Sequence, residues 1–266
     1  MPKPTTEESV LVKKENGVAW ITINRPEVLN ALNTDVIWKL RDALDDAERD
    51  PQVRCVVIGG EGRAFSAGAD LQSLKKRQRQ AEISFMEHLK EETNPLISKM
   101  RNMDKPIISM INGVAAGAGM SLALAADLKV MAEGARFVEA FAKIGLIPDA
   151  GATFLLARSF GISKAMELAL TGDGIDAEEA KRLGAVNKVV PPDQLEKETR
   201  ILAERLAKGP KGIGLAKRAM NKALVSDLDT ALDYEAHLQE IVASSEDFKE
   251  GVSAFNDKRP ARFQGK

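Results

Sequence analysis

Apolar and polar residues alternate along Gly17–Pro26, "GVAWITINRP", and its β-branched and aromatic side chains predict a strand that Pro26 ends. The period then changes. Val36, Ile37, Leu40, Ala43, Leu44 and Ala47 recur at helical spacing, so "TDVIWKLRDALDDAERD" predicts an amphipathic helix. Thr34 or Asp35 is its expected cap, and Pro51 closes it. "VRCVVIGG" (53–60) is an apolar run of the kind buried in parallel sheets, with Cys55 as a small core residue. "EGRAFSAGADLQSL" predicts a glycine-containing turn followed by a polar, lysine-rich helix. "KPIISMING" (105–113) predicts another strand, and "ARFVEAFAKIGLIPDAGATFLLARSFG" approximately repeats the succession of strand, small-residue loop and helix. Such units with short turns predict an α/β core.

From about residue 160 the pattern is helical. Ser163 is the expected cap of "SKAMELALTG", with Gly172 ending it, and Asp176 with Glu179 resembles a capping box. "VNKVVP" predicts a last short strand. Residues 193–266 predict helices broken by "KGPKGIG" and again near "SSEDFKEG". Their apolar positions, such as Leu228, Leu232, Leu238, Ile241 and Phe255, suit packing against the main body or a neighbouring subunit.

One segment stands apart. "NGVAAGAGMSLALAAD" (112–127) is small, apolar and uncharged up to Asp127, in a chain that is 29% charged. The uncharged run from Ile107 to Ala126 is long enough to span a bilayer, and Gly113 and Gly117 form a GxxxG pair. Alanine, glycine and serine have small transfer free energies, however, and Asn112 and Ser121 interrupt the run. The reading adopted is a buried strand, a glycine loop and a buried small-residue helix.

Composition narrows the classes. The chain has 266 residues, 44% of them hydrophobic, enough for a full core. Its 38 basic and 39 acidic residues give a net charge of -1, which offers no reason to expect nucleic acid or a membrane surface as partner. A single cysteine excludes a disulfide framework and a CxxC metal site. With an N-terminus, "MPKPTTEESV", that lacks the apolar core of a leader, the expectation is a cytoplasmic protein.

Two loops share a design. "SAGAD" (66–70) and "AAGAG" (115–119) each follow a strand and precede a helix. Small side chains let a ligand approach the backbone, and the first N–H groups of a helix lack internal partners. Two such ends facing one another would hold an anionic oxygen between peptide N–H groups. The same glycines also suit tight strand–helix packing, and spacing alone leaves both readings open. Neither loop matches GxGxxG or a P-loop.

"RPEVLNAL", "AFSAGADL", "NGVAAGAGMSLALAAD", "GLIPDAGAT", "LTGDGIDAEEAKRLGAVNKVV" and "EGVSAF" together resemble the enoyl-CoA hydratase/isomerase (crotonase) family, in the family's order, from about residue 10 to the C-terminus. The resemblance implies an α/β fold, a spiral of repeated ββα units over residues 1–192 that carries an acyl-CoA site. A helical C-terminal region would follow over 193–266, with a role in forming a homotrimer or dimer of trimers. It implies that the N–H groups of Ala69 and Ala118 form an oxyanion hole for the thioester oxygen. It further implies substrate contacts at Val28, Ala67, Gly68, Asp70, Leu71, Gly117 and Phe141, no metal, and no cofactor beyond the coenzyme A of the substrate. Arg25, Lys75, Lys76, Arg77, Arg79 and Lys266 are candidates for its phosphates, although most of that cluster also reads as a solvated helix face.

The departures from the family pattern bear on the reaction. By motif register, Ser121 and Phe141 stand where family hydratases carry their two glutamates, and neither takes up a proton as a carboxylate does. Asp149, in "GLIPDAG", stands where family isomerases place an aspartate, including the dienoyl-CoA and 1,2-epoxyphenylacetyl-CoA isomerase groups. The expectation is an isomerase that shifts a C=C bond, with Asp149 carrying a proton from one carbon to another two atoms along. Phe141 would keep the pocket dry. Asp149 also reads as an N-cap for the helix that follows. The alternatives are a 2-enoyl-CoA hydratase using Glu139 as its second acid/base group, a serine hydrolase using Ser121, and a non-catalytic acyl-CoA-binding protein. A serine nucleophile requires a base, and the only histidines, His88 and His237, lie in charged helix-like stretches that read as solvated surface.

Overall fold

The structure is a computed structural model, and it describes residues 8–80 and 84–266. The reading of the N-terminus rests on residues 1–10, of which 1–7 lie outside the described residues.

The described residues open on a hairpin. β1 (Val10–Glu15) pairs antiparallel with β2 (Val18–Ile23) through a turn in which Asn16 and Gly17 have φ of 51° and 78°. That conformation favours an Asn-Gly pair. Only Val10 of β1 is buried, so this lysine-bearing edge strand carries little hydrophobic signal. α1 (Thr34–Arg49) buries Val36, Ile37, Leu40, Ala43, Leu44 and Ala47, the same six positions that the helical spacing marked. Its cap is not Thr34 or Asp35. Asn33, still extended, accepts from the Val36 N–H at 2.9 Å, while Thr34 and Asp35 already belong to the helix.

Strand pairs then alternate with helices. β3 (Cys55–Gly60) and β4 (Ala64–Ser66) precede α2 (Leu71–Arg79). A continuous helical stretch returns the chain: α3 (Phe85–Glu87), a π-helical segment His88–Thr93, and α4 (Asn94–Asn102). β5 (Ile107–Ile111) and β6 (Val114–Ala116) precede α5 (Ala118–Ala125). β7 (Leu128–Ala132) and β8 (Arg136–Val138) precede α6 (Ala152–Phe160) and α7 (Ile162–Thr171). β9 (Gly174–Asp176), α8 (Ala177–Arg182) and β10 (Lys188–Val190) complete the strands.

The first strand of each pair joins one sheet, ordered β1-β2-β3-β5-β7-β10, and the second joins another, ordered β4-β6-β8-β9. All neighbours pair in parallel except β1 with β2 and β8 with β9. Each ββα turn thus advances both sheets by one strand, which makes the α/β spiral expected from the resemblance. Cys55 lies inside the larger sheet at 0% exposure, and burial pushes its thiol up to about 12, far too high for a thiolate nucleophile.

Two capping expectations change in detail. α7 starts at Ile162 after Gly161, so Ser163 is already helical and caps nothing; Gly172 closes the helix at φ 71°. Asp176 does cap α8, accepting from the Glu179 N–H at 2.8 Å.

Four helices end the chain: α9 (Leu195–Ala207), α10 (Gly212–Ala223), α11 (Leu228–Ala243) and α12 (Glu246–Asn256). α9 lies on β2, β3, β5 and β7 and sinks Leu195, Ala203 and Ala207 into the common core. Residue 193 therefore marks where strands stop, while the core continues through α9. The later helices leave Met220, Leu228, Leu232 and Phe255 exposed. The Ile107–Ala126 run is β5, β6 and α5, and among the described residues no helix is long and apolar enough to cross a membrane.

Candidate active site

The loop from Ser66 to Asp70 is pinned from beneath by Asn30. This residue is fully buried at φ 58°, where its short side chain tolerates the left-handed region. Asn30 Nδ2 donates to the carbonyls of Ala64 (2.7 Å) and Glu61 (2.9 Å), and its own carbonyl accepts from Ser66 Oγ at 2.8 Å. The loop's amides are then nearly all engaged. Ala67 N–H donates to Leu29 O (2.8 Å), Gly68 N–H to Ser66 Oγ (3.2 Å) and Asp70 N–H to Leu32 O (2.9 Å). Among the described residues, Ala69 N–H is the one left without a partner in that run.

The second loop leads into α5, which is buried over its whole length among α4, α6 and strands β4, β5 and β6. Gly117 N–H donates to Val138 O, and the first intrahelical bond runs from Ser121 N–H to Gly117 O. Ala118 is the first helical residue, so its N–H has no intrahelical acceptor and sits at the positive end of the helix.

Two glycines wedge the loops together. A Cβ on Gly68, at φ 92°, would lie 2.6 Å from Ala116 O, and a Cβ on Gly119 would lie 2.5 Å from Ser66 O. Small residues here permit the tight packing of the two loops, one of the two readings left open by the sequence, and they fix the spacing of the Ala69 and Ala118 amides.

Ala69 and Ala118 line one cavity of about 20 Å³ together with Asp149, walled by Leu32, Ile37 and Leu74. That is room for about one water molecule. The Asp149 carboxylate caps nothing: α6 starts from Gly151 at φ 80°, with no side-chain bond. Among the described residues no hydrogen bond reaches its carboxylate; only its backbone carbonyl is held, by Ser121 Oγ at 3.1 Å and Ala152 N–H at 2.9 Å. Burial pushes the Asp149 carboxyl up to about 6. Glu139 is completely buried with both carboxyl oxygens unpartnered, and burial, with the nearby Asp149 charge, raises it to about 7. Phe137, Glu139 and Phe141 are all buried, but β8 ends at Val138 and the chain turns at Ala140–Phe141, where Phe141 has φ -60° and ψ -47°, so strand alternation does not place Glu139 and Phe141 on one face.

The other sequence candidates fall in different places. Phe141 is buried, with its ring 3.7 Å from the position a Cβ on Gly117 would take. Val28, Ala67 and Leu71 are exposed and outside the cavity. Asp70 is occupied by the protein itself: it accepts from Ser73 N–H at 3.0 Å as the cap of α2 and pairs with Arg25 at 3.1 Å. Arg25 thus has its counter-ion, and Arg77 pairs with Glu92 at 2.8 Å. Lys75, Lys76, Arg79 and Lys266 are solvent-exposed. Ser121 is fully buried, its hydroxyl bonded to the carbonyls of Gly117 and Asp149 and, among the described residues, to no histidine, an arrangement unlike an activated nucleophile. Among the described residues no group of His, Cys, Asp or Glu is placed to hold a metal ion.

One expectation is overturned. His237 is exposed, but His88 is not a surface residue. It is 7% exposed and lines the same cavity as Asp149. The charged stretch "FMEHLKEE" concealed it, because Glu92, also buried, pairs with His88 and Arg77 rather than with water. Asn30 was the other omission; its only sequence signal was an Asn at the end of the "RPEVLN" turn.

Residues 13–266 match the family model described as enoyl-CoA hydratase/isomerase. The 1,2-epoxyphenylacetyl-CoA isomerase of Escherichia coli is 42% identical over 97% of this chain and 99% of its own. The crotonyl-CoA hydratase of Syntrophomonas wolfei is 36% identical over 97% of this chain and 99% of its own. A crystal structure of an enoyl-CoA hydratase from Bacillus anthracis superposes with a TM-score of 0.90 at 32% identity, covering 97% of this chain and 100% of that one.

Proposed function

The chain belongs to the enoyl-CoA hydratase/isomerase family, and on that premise we propose that it shifts a C=C bond within an acyl-CoA thioester, with Asp149 as the proton carrier. The observation that supports this reading is the unbonded, partly buried Asp149 carboxylate in one cavity with the free N–H groups of Ala69 and Ala118. In a 3-enoyl-CoA, Asp149 takes a proton from C2, and the electron pair moves into the thioester carbonyl. The two N–H groups receive the oxygen's negative charge, each donor worth roughly 3–4 kcal/mol of barrier. Asp149 then returns the proton to C4, the enolate collapses, and the double bond lies between C2 and C3. No water is consumed and no cofactor takes part beyond the coenzyme A of the substrate.

The environment suits that cycle. A carboxyl at about 6 is a stronger base than an exposed aspartate, yet is mostly ionised at neutral pH. Phe141 and the apolar walls keep bulk water away from the enolate. The cavity is smaller than an acyl group, so binding requires its walls to part. The exposed apolar positions of α10–α12 support assembly into a homotrimer or a dimer of trimers, and the single buried cysteine suits a reducing cytoplasm.

Glu139 supports a second reading, hydration of a 2-enoyl-CoA, because it supplies a second carboxyl within electrostatic reach of Asp149. Product analysis in deuterated water separates the two. Migration of the double bond with label at C2 or C4 supports the isomerase, and a 3-hydroxyacyl product supports the hydratase. Asp149→Asn is expected to lower turnover of a 3-enoyl-CoA by roughly 10²–10⁴-fold. Near wild-type turnover in that variant refutes the assignment.

A further inference from the structure

His88 is a second polar group on the cavity that the oxyanion hole and Asp149 share. It sits at the start of the π-helical segment His88–Thr93, a helix form that recurs at functional sites. Its ring is fixed from two sides. Phe85 meets it edge to face with centroids 6.4 Å apart, and Glu92 Oε2 lies 2.9 Å from Nδ1. Glu92 is itself held by Arg77 Nη1 at 2.8 Å and Thr34 Oγ1 at 2.9 Å. Burial alone would raise the Glu92 carboxyl, but the bonds from Arg77, Thr34 and His88 hold it below the usual range. It is therefore an ionised acceptor that fixes Nδ1 as a hydrogen-bearing nitrogen.

The other ring nitrogen has no comparable partner. Nε2 meets only Thr93 Oγ1, at 3.5 Å, the long limit of a hydrogen bond, although the residue is 7% exposed. A buried polar atom so poorly served calls for a ligand or a water. Thr93 Oγ1 is beside it, also on the cavity, while Leu74, Phe85 and Leu89 make the surrounding wall apolar. A hydroxyl both donates and accepts, so it satisfies Nε2 in either protonation state and bonds Thr93 as well.

We propose that His88, oriented by Glu92 and seconded by Thr93, recognises a hydroxyl group on the acyl chain beyond the reacting carbons, so that this site selects hydroxylated acyl-CoA thioesters over plain alkyl ones. The inference rests on reading the cavity as an acyl site, and not on the reaction performed there. A pocket built to hydrogen-bond a substrate group discriminates strongly against an analogue that lacks it, because its own polar atoms are then left unpaired.

The test is a binding comparison with unreactive ligands: saturated acyl-CoA thioesters of one length, unsubstituted or with the hydroxyl stepped along the chain from carbon 5 outward. Calorimetry on the wild type is expected to find one hydroxyl position bound at least about tenfold more tightly than the parent thioester. His88→Leu abolishes that preference, and His88→Gln, polar and close in size, keeps part of it and remains informative if the leucine variant does not fold. The proposal is overturned if no position is preferred, or if the preference persists in His88→Leu. It is equally overturned if both variants weaken plain and hydroxylated ligands alike, which would make His88 a wall residue. Absence of double-bond migration leaves this comparison intact and refutes only the isomerase reading, whereas a wild type that binds no acyl-CoA refutes both.

Discussion

Asp70 and Asp149 each follow a small-residue loop or turn beside the N-terminus of a helix, and the protein treats them in opposite ways. Asp70 bonds the α2 backbone at Ser73 N–H and pairs with Arg25. Its charge is matched twice, and the positive end of α2 is spent on it. Among the described residues the Asp149 carboxylate bonds no backbone amide and has no cation, and Asp149 lines a cavity with the open end of α5. The sequence reading treated loops 66–70 and 115–119 as two equal helix ends facing one another. In the structure only α5 offers an open end. Ala69 N–H is a loop amide left over when its neighbours are engaged, whereas Ala118 N–H carries the helix dipole behind it. A matched charge stabilises a fold, and an unmatched one in a cavity is what the proposed reaction calls for.

After Asp149→Asn, the next largest effect is expected where the two loops touch. Gly119→Ala puts a Cβ 2.5 Å from Ser66 O and 2.8 Å from Ser66 Oγ, the atom that holds Asn30 and Gly68. Backbone cannot yield there without separating the two amides. Overpacking costs about 1–3 kcal/mol, and a misplacement near 1 Å is enough for roughly a 100-fold loss of kcat/KM. Thermal melts and turnover of a 3-enoyl-CoA measure the two effects. A variant with wild-type activity would mean that the spacing of the loops does not set the oxyanion hole.

The legible part of the molecule was the part governed by local pattern. The six buried positions of α1, the apolar β3 and the strand–loop–helix units follow from period and composition alone. The loops were legible as candidates, because a run of alanine and glycine in a charged chain has few explanations. The failures share a cause. β1 is an edge strand whose inner face is nearly empty, the caps moved by a residue or two, and His88 and Glu92 bury a charged stretch by pairing with each other and with Arg77. Pairings between elements far apart in sequence are invisible to a periodicity argument, which assigns charged helical residues to solvent. The equality of the two helix ends failed for the same reason, since the Arg25–Asp70 pair joins residues 45 positions apart.

The unmatched side of the comparison has a pH signature. Asp149 rises from 3.8 to about 6 and Glu139 from 4.5 to about 7 on folding, both chiefly through burial. A group whose folded pKa is raised contributes stability that is fully present below its unfolded value and lost as pH climbs through its folded value. Wild-type stability is therefore expected to fall between about pH 4 and 7, by up to about 3 kcal/mol for each carboxyl, the two titrating as a coupled pair. Denaturant midpoints of Asp149→Asn combined with Glu139→Gln should match wild type near pH 4 and exceed it near pH 7.5. Over the same range the kcat/KM of wild type should rise as the pair ionises, so activity is gained where stability is given up. A flat difference between variant and wild type across that range would mean that neither carboxyl is strained by burial.

The matched side should be far quieter. Asp70→Asn keeps an N-cap of nearly equal quality and removes the Arg25 ion pair, whose side chains are 18% and 16% exposed. Partly exposed pairs contribute little, so the expected loss is about 1 kcal/mol in a denaturant melt. Turnover of a 3-enoyl-CoA should stay within about threefold of wild type, because the α2 dipole is already answered within the protein and falls off within a turn. A rise of tenfold or more on removing this negative charge would show that Asp70 opposes the enolate at Ala69, and that the field at the oxyanion hole is shared between both helices. The contrast between a spent helix end and an open one would then be one of degree, and α5 would lose its claim to be the principal source of the stabilising field.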